Sequence, residues 1–292
     1  MRFLFTVNKL ANFYFFIQNL SEWHFSNRKD YNVLWCNKVG ELSLKEKDVL
    51  QQLKEIHSRH SFGKSYLGKY FFLKQDPWMN LGRELPEEDF KKIKDVFYVL
   101  EGKFDLLWNE ELPLLKRWEK ELQIKANDPL ISKYVIDILN ALFNIKVAKS
   151  KIGVYLLFSS EEHTGGGANI NKKNVTIEVS RYPVENIEHV LGIIWHETIH
   201  LRFQNKHFFS LVLKQTHDRK KANLINEIVI SSLFPRGILG VRIFKNKPAH
   251  KLAEEVDSIQ TIKILNLTKE YVDKKKSLDK NYIESITKLL KL

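Results

Sequence analysis

Residues 187–203, IEHVLGIIWHETIHLRF, carry apolar side chains at the spacing of an amphipathic helix. Within them, residues 192–200 (GIIWHETIH) place two histidines four positions apart, with a glutamate directly after the first. Positions i and i+4 lie on one face of a helix, so both imidazoles can reach one metal ion. The carboxylate of Glu197 is rotated off that line, toward a metal-bound water. The pattern therefore predicts His196 and His200 as metal ligands and Glu197 as a general base.

A hydrolytic zinc site needs a third ligand from the protein, and the next predicted helix supplies a candidate. Glu227 lies in the apolar stretch 222–230, where a carboxylate is costly unless it is paired or bound to metal. The alternative is a buried salt bridge with Arg202, but a site of this type still lacks an oxygen donor. His189 and His207 each lie seven residues outside the motif, about 10.5 Å along a helix axis, which is too far to share one ion.

The segments around the motif predict an α+β fold that is predominantly helical. Short runs rich in β-branched and aromatic residues at 152–158 and 174–180 predict two strands, joined by a loop that contains the triple glycine 165–167. Elsewhere, apolar residues at every third or fourth position and N-cap residues such as Ser43 predict helices. Gly102 is predicted to separate two of them. These helices cover about residues 43–59, 86–100, 104–124, 128–144 and 218–234, with two or three more in 247–292.

We expect three regions packed as one unit. They are a helical N-terminal region (1–150), a catalytic core (151–240) and a set of C-terminal helices (241–292). The Phe-rich start of the chain is interrupted by polar residues and has no cleavage site, so it predicts a first helix in the core rather than a signal peptide. No stretch has the length and apolarity of a membrane span, and we expect a cytoplasmic protein.

Composition excludes several classes of protein. The chain has 292 residues, of which 43% are hydrophobic, so it can build a core and is not a disordered protein. Its one cysteine, Cys36, cannot form an intramolecular disulfide, which suits a reducing compartment. A metal site must then be made from histidines and carboxylates.

The net charge of +12 raises a second functional class, a basic helical module that binds nucleic acid with a degenerate histidine motif. Lysines outnumber arginines, and no zinc-finger, RNP or basic-zipper motif is present, which argues against this class. The basic excess is also spread along the chain, with +4 in residues 1–150, +3 in 151–240 and +5 in 241–292. A lysine-rich surface is the simpler interpretation.

Over residues 152–240 the chain resembles the gluzincin-type zincin metallopeptidases, in which two histidines and a glutamate on a downstream helix hold zinc. The matching positions are His196, Glu197, His200 and Glu227. The resemblance implies a zincin-like core, with a small twisted sheet against an active-site helix and a glutamate helix. It also implies one Zn²⁺ ion, a peptide or protein substrate, and hydrolysis by a zinc-bound water that Glu197 activates. A zinc-bearing scaffold or a non-proteolytic hydrolase would share this motif.

In that family an edge strand pairs with the substrate backbone, and this strand comes before the active-site helix along the chain. Residues 165–169 and 175–179 occupy the same position in this sequence. A hairpin turn is the alternative for the three glycines. Many gluzincins also carry an aspartate four residues after the glutamate ligand to hold a metal-bound histidine, where this chain has Ser231.

The hydrogen bonds that orient the ligands must therefore come from another group. Separately, no motif identifies the residue that stabilises the oxyanion. The candidates for support are Ser231 itself, Asn226, Asn223 or a backbone carbonyl. The candidates for the oxyanion are His217, His250, Tyr182 and Tyr271.

Overall fold

The computed structural model describes residues 1–23, 27–59, 67–73, 76–147, 150–159, 164–169, 174–179, 187–204 and 206–291. These residues form an α+β fold that is mostly helical, as predicted. The elements are β1 (Arg2–Thr6), α1 (Lys9–Leu20), α2 (Lys29–Val39), α3 (Leu44–Arg59), α4 (Gly68–Phe71), α5 (Pro77–Glu84), α6 (Glu87–Lys125), α7 (Pro129–Leu142), β2 (Lys151–Phe158), β3 (Gly165–Asn169), β4 (Asn174–Val179), α8 (Ile187–Arg202), α9 (Lys206–Thr216), α10 (Arg219–Ser231), α11 (Ile238–Phe244), α12 (Ser258–Asp273) and α13 (Lys280–Leu290).

The four strands form one open mixed sheet in the order β1-β2-β4-β3. Both β1 and β4 run parallel to β2, whereas β3 runs antiparallel to β4 with Gly165 opposite Glu178. The two predicted strands are confirmed as β2 and β4. The prediction that the triple glycine lies in a loop was wrong, because it begins β3, at the edge of the sheet.

Strand β1 was not predicted, because the N-terminal region was expected to be helical. Its outer edge is paired not by a strand but by side chains of α6 and of Asn127 in the turn that follows α6. Asn127 accepts from the backbone N–H of Phe3 (2.8 Å) and donates to its carbonyl (3.1 Å), while Glu119 accepts from the N–H of Val7 (3.3 Å). Gln123 of α6 lies between these two residues in the sequence and donates to the carbonyl of Phe3 (3.4 Å). These long-range bonds protect an edge that would otherwise expose its backbone.

Helix α6 is continuous over 39 residues, so the predicted break at Gly102 was wrong. A glycine inside a helix costs about 1 kcal/mol relative to alanine, whereas each fully buried large apolar side chain contributes about 1.5–3 kcal/mol. Gly102 itself lies on the exposed side of the helix, and the buried face continues past it and beyond Pro113. Its apolar residues are Ile93, Val96, Phe97, Leu100, Phe104, Leu107, Trp108, Leu115, Trp118 and Leu122. Burial therefore outweighs the local preference.

Other predicted helix starts are confirmed by their caps. The N–H of Ser43 donates to the Glu46 carboxylate (2.6 Å) and the N–H of Glu46 donates to the Ser43 hydroxyl (3.3 Å), which is a capping box. Asp128 caps α7 and Asp218 caps α10 through their side-chain oxygens. These starts were predictable because the donors and acceptors are neighbours in sequence.

Helix α8 packs across β3 and β4, while α6 packs against β1 and β2 and α1 packs against β2. The ring of Trp195 on α8 meets Phe3 of β1 edge-on, with ring centroids 5.3 Å apart. The N-terminal strand and the motif helix thus share one hydrophobic core. Among the described residues, the helices are all too short or too polar to cross a membrane.

Candidate metal centre

Three side chains predicted as ligands converge between α8 and α10. His196 and His200 lie one turn apart on α8, and their Nε2 atoms are 3.1 Å from each other. Glu227 reaches them from α10, with Oε1 3.1 Å from His196 Nε2 and Oε2 3.2 Å from His200 Nε2. Within the described residues this is the group of histidine and carboxylate side chains with the spacing of a metal site.

The Nδ1 atoms of both histidines make hydrogen bonds, and these bonds show which ring nitrogen carries a proton. His196 Nδ1 is 3.0 Å from the carbonyl oxygen of Phe234, and His200 Nδ1 is 2.6 Å from Oε1 of Gln204. Both oxygens can only accept, so each Nδ1 carries a proton, and a metal ion or a further proton can bind either ring only at Nε2, which faces inward. Two nitrogen lone pairs and a carboxylate thus face one another, and this arrangement needs a positive charge between them.

The pKa shifts of His196 and Glu227 agree with this requirement for a positive charge. Burial lowers the pKa of His196, but the hydrogen bond to Glu227 and the charge of Glu197 outweigh burial and raise it to about 9. Partial burial raises the pKa of Glu227, yet the hydrogen bonds of His196 and His200 hold it well below its usual range. The site therefore attracts a cation, and without a metal a proton supplies it.

A close approach of loop and helix positions the Phe234 carbonyl. Gly192 lies one turn before His196 on α8, and a Cβ added there would stand 2.7 Å from Cβ of Pro235. The carbonyl of Pro235 in turn accepts a hydrogen bond from the side chain of Asn246 (2.8 Å). The segment that follows α10 can thus rest directly on α8, with its carbonyl beside the imidazole.

Glu197 lies beside the cluster under strand β3. Its side chain is buried, and a Cβ added to Gly166 would lie 2.9 Å from Glu197 Cγ and 2.8 Å from Ile193 Cγ2. Only glycine fits between the strand and the helix at this point. Burial raises the pKa of the Glu197 carboxyl, while the charges of His196 and His200 oppose the shift. A carboxylate with a raised pKa is suited to accept and return a proton.

The environment of Glu227 differs from the prediction. Its side chain is 47% exposed rather than buried, whereas those of His196 and His200 are 11% and 19% exposed. It makes its ion pairs with the two histidines, and no described contact joins it to Arg202. The cluster is thus open to solvent on the Glu227 side, where water or a substrate can enter.

The groups that support the ligands are partly those proposed from sequence. Ser231 donates weakly to Glu227 (3.4 Å), and the backbone carbonyl is that of Phe234. Asn226 is buried, but its amide has no hydrogen-bond partner within the described part of the chain. Gln204 was missed, although a glutamine four residues after His200 could have been found from the helix period.

The predicted oxyanion candidates stay unassigned. His217 and His250 are exposed, and the hydroxyl of Tyr271 donates to Asp279 (3.4 Å), away from the cluster. Tyr182 lies outside the described residues. His207, which was predicted not to be a ligand, is exposed on α9 and is not part of the cluster.

A further acidic group lies near Glu197 on strand β4. Glu178 accepts a hydrogen bond of 2.6 Å from the hydroxyl of Tyr31 on α2. Burial raises the pKa of Glu178 to about 7, and the charge of Glu197 contributes to the shift. This pair was not predicted from the sequence, because its members are 147 residues apart along the chain.

Comparison with protein-family models, with curated proteins and with solved structures found no match for this chain.

Proposed function

We propose that this chain is a zinc-dependent metallopeptidase of the gluzincin type. The observation that carries the proposal is the convergence of two Nε2 lone pairs and the Glu227 carboxylate on one point, with both Nδ1 protons already committed. Two nitrogens and an oxygen form a ligand set that suits zinc, and they leave a position open for water. The donor set therefore fits the ion that the motif predicts.

In this proposal His196, His200 and Glu227 hold one Zn²⁺ ion. When bound, zinc lowers the pKa of a coordinated water and polarises the carbonyl to be cleaved. Glu197 takes the proton from the attacking water and passes it to the leaving amine. Its burial under Gly166 keeps its carboxylate in place and limits competition from bulk water.

Strand β3 favours a peptide as the substrate. It lies at the edge of the sheet, and its described pairing is with β4 on one side, so its other edge can accept an extended backbone. The same strand passes over Glu197 at Gly166, which would place a peptide bond beside the general base. A peptide added at this edge gains main-chain hydrogen bonds, and the glycines let it approach closely.

Metal analysis of protein purified without chelator, followed by a peptide-library assay, tests the proposal. We expect about one zinc per chain and peptide hydrolysis that is lost with a chelator and recovered with zinc. Zinc without hydrolysis of any peptide would instead support the non-proteolytic hydrolase or the scaffold. Absence of zinc together with salt-dependent nucleic-acid binding would support the basic binding module.

Replacing Gln204 tests whether it orients His200. The substitution Gln204→Ala should weaken zinc binding about 10- to 100-fold, because the Nδ1 proton loses its acceptor and the ring can rotate. Zinc affinity can be measured by competition with a chromophoric chelator. Gln204→Glu should restore binding, and the surface variant Gln51→Ala should leave it unchanged. Equal zinc affinity in Gln204→Ala and the wild type would contradict this role.

A further inference from the structure

A second concave site lies between α7 and the first residues of β1 and β2. Its volume is about 710 Å³, which is within the range of small-molecule pockets in proteins. None of its lining residues belongs to α8, α10 or β3, so it is separate from the candidate metal centre. Its apolar lining includes Pro129, Ile136 and Val147.

Three cationic side chains also line this pocket. Arg2, Lys133 and Lys151 are all exposed, and none forms an ion pair with any described residue. The one acid in the lining is Asp137, which is four residues after Lys133 on α7 but makes no ion pair with it. The lining therefore carries three positive charges and one negative charge, a net of +2.

The neutral polar side chains of the lining are buried or already hydrogen-bonded. Ser150 lines the same pocket, and its Oγ has no hydrogen-bond partner among the described residues. The amide of Asn127, by contrast, is occupied with the backbone of β1. The groups of the lining that can reach an anionic head group are therefore the three cations.

We propose that this pocket binds a small amphiphile with an anionic head group and an apolar body. The guanidinium of Arg2 and the two ammonium groups would bind the carboxylate or phosphate of the head group. The chain of the ligand would cover Pro129, Ile136 and Val147, which a purely ionic ligand would leave in contact with water. A cationic ligand would meet the net positive charge, and a neutral one would leave it unpaired.

Calorimetric titration of the full chain with four ten-carbon probes tests this proposal. Decanoate and decyl phosphate should bind, and the tighter of the two identifies the head group. Decanol and decylammonium should bind at least about tenfold more weakly, because they offer no anion. Inorganic phosphate alone should also bind much more weakly than decyl phosphate, since it cannot cover the apolar lining. Equal binding of decanol and decanoate would overturn the proposal.

The double variant Lys133→Gln/Lys151→Gln locates the binding site. It should weaken the binding of the preferred anionic probe about tenfold, with an unchanged thermal unfolding midpoint, because both side chains are exposed and unpaired. The matched control is Lys263→Gln/Lys288→Gln, which removes the same charge from exposed positions of α12 and α13. Equal weakening in the two double variants would mean that the net charge of the protein attracts the probe, and the pocket would be excluded.

Discussion

The Glu197→Gln variant should retain its zinc and lose peptide hydrolysis by about a factor of 10³, within the range of 10²–10⁴ that a general base contributes. Glutamine has nearly the same size, so it fits the space under Gly166, where the Glu197 side chain is buried. It cannot accept the proton of the attacking water. The measurements are zinc per chain and kcat/KM on the best peptide from the library.

A glutamate on the same helix provides the control for this prediction. Glu188 lies in the first turn of α8, where it pairs with Lys125 on the surface, so Glu188→Gln should keep both zinc and activity. Full activity in Glu197→Gln would show that Glu197 is not the base. Loss of zinc in that variant would instead make Glu197 a ligand.

The Glu227→Ala variant should lose most of its zinc at equilibrium dialysis, with at least a 100-fold weaker affinity. The two imidazoles remain on α8, but the site then has no carboxylate to balance the charge of the metal or to complete the three protein ligands. Because the Glu227 side chain is 47% exposed, its removal leaves no buried cavity, so the unfolding midpoint of the zinc-depleted protein should fall only through the loss of its ion pairs with His196 and His200.

Ser231→Ala is the matched change for this prediction. The Ser231 hydroxyl donates to Glu227 at 3.4 Å, a long hydrogen bond, so its loss should weaken zinc binding only slightly. If Glu227→Ala kept its zinc content, the third ligand would have to be another residue, and the geometry of the cluster would have to change on metal binding.

Local patterns predicted much of the helical part of this fold. The capping box of Ser43 and Glu46 and the caps of α7 and α10 involve residues within three positions of one another. The spacing of His196 and His200 follows in the same way from helix geometry alone. Such features were predictable because the partners are brought together by the backbone of one element.

Features that depend on distant contacts were missed or predicted wrongly. Strand β1 is held by β2 and by side chains more than 100 residues away, and its short apolar run was predicted to be part of a helix. Gly102 was predicted to end a helix, yet the buried face on both sides of it outweighs its preference. Glycine in β3 has poor strand propensity, but its lack of a side chain admits the strand over Glu197.

The sequence of α8 alone placed two imidazoles and a carboxylate on one helix and so determined the groups that this helix can offer to a metal ion and a water. Tertiary structure decided the rest of the centre: the approach of Glu227 from α10, the carbonyl of Phe234 that orients His196, and the position of β3 above Glu197. The physical reason is how far apart in the sequence the contacting residues lie. A helix repeats its geometry every few residues, whereas contacts between elements depend on how the whole core packs.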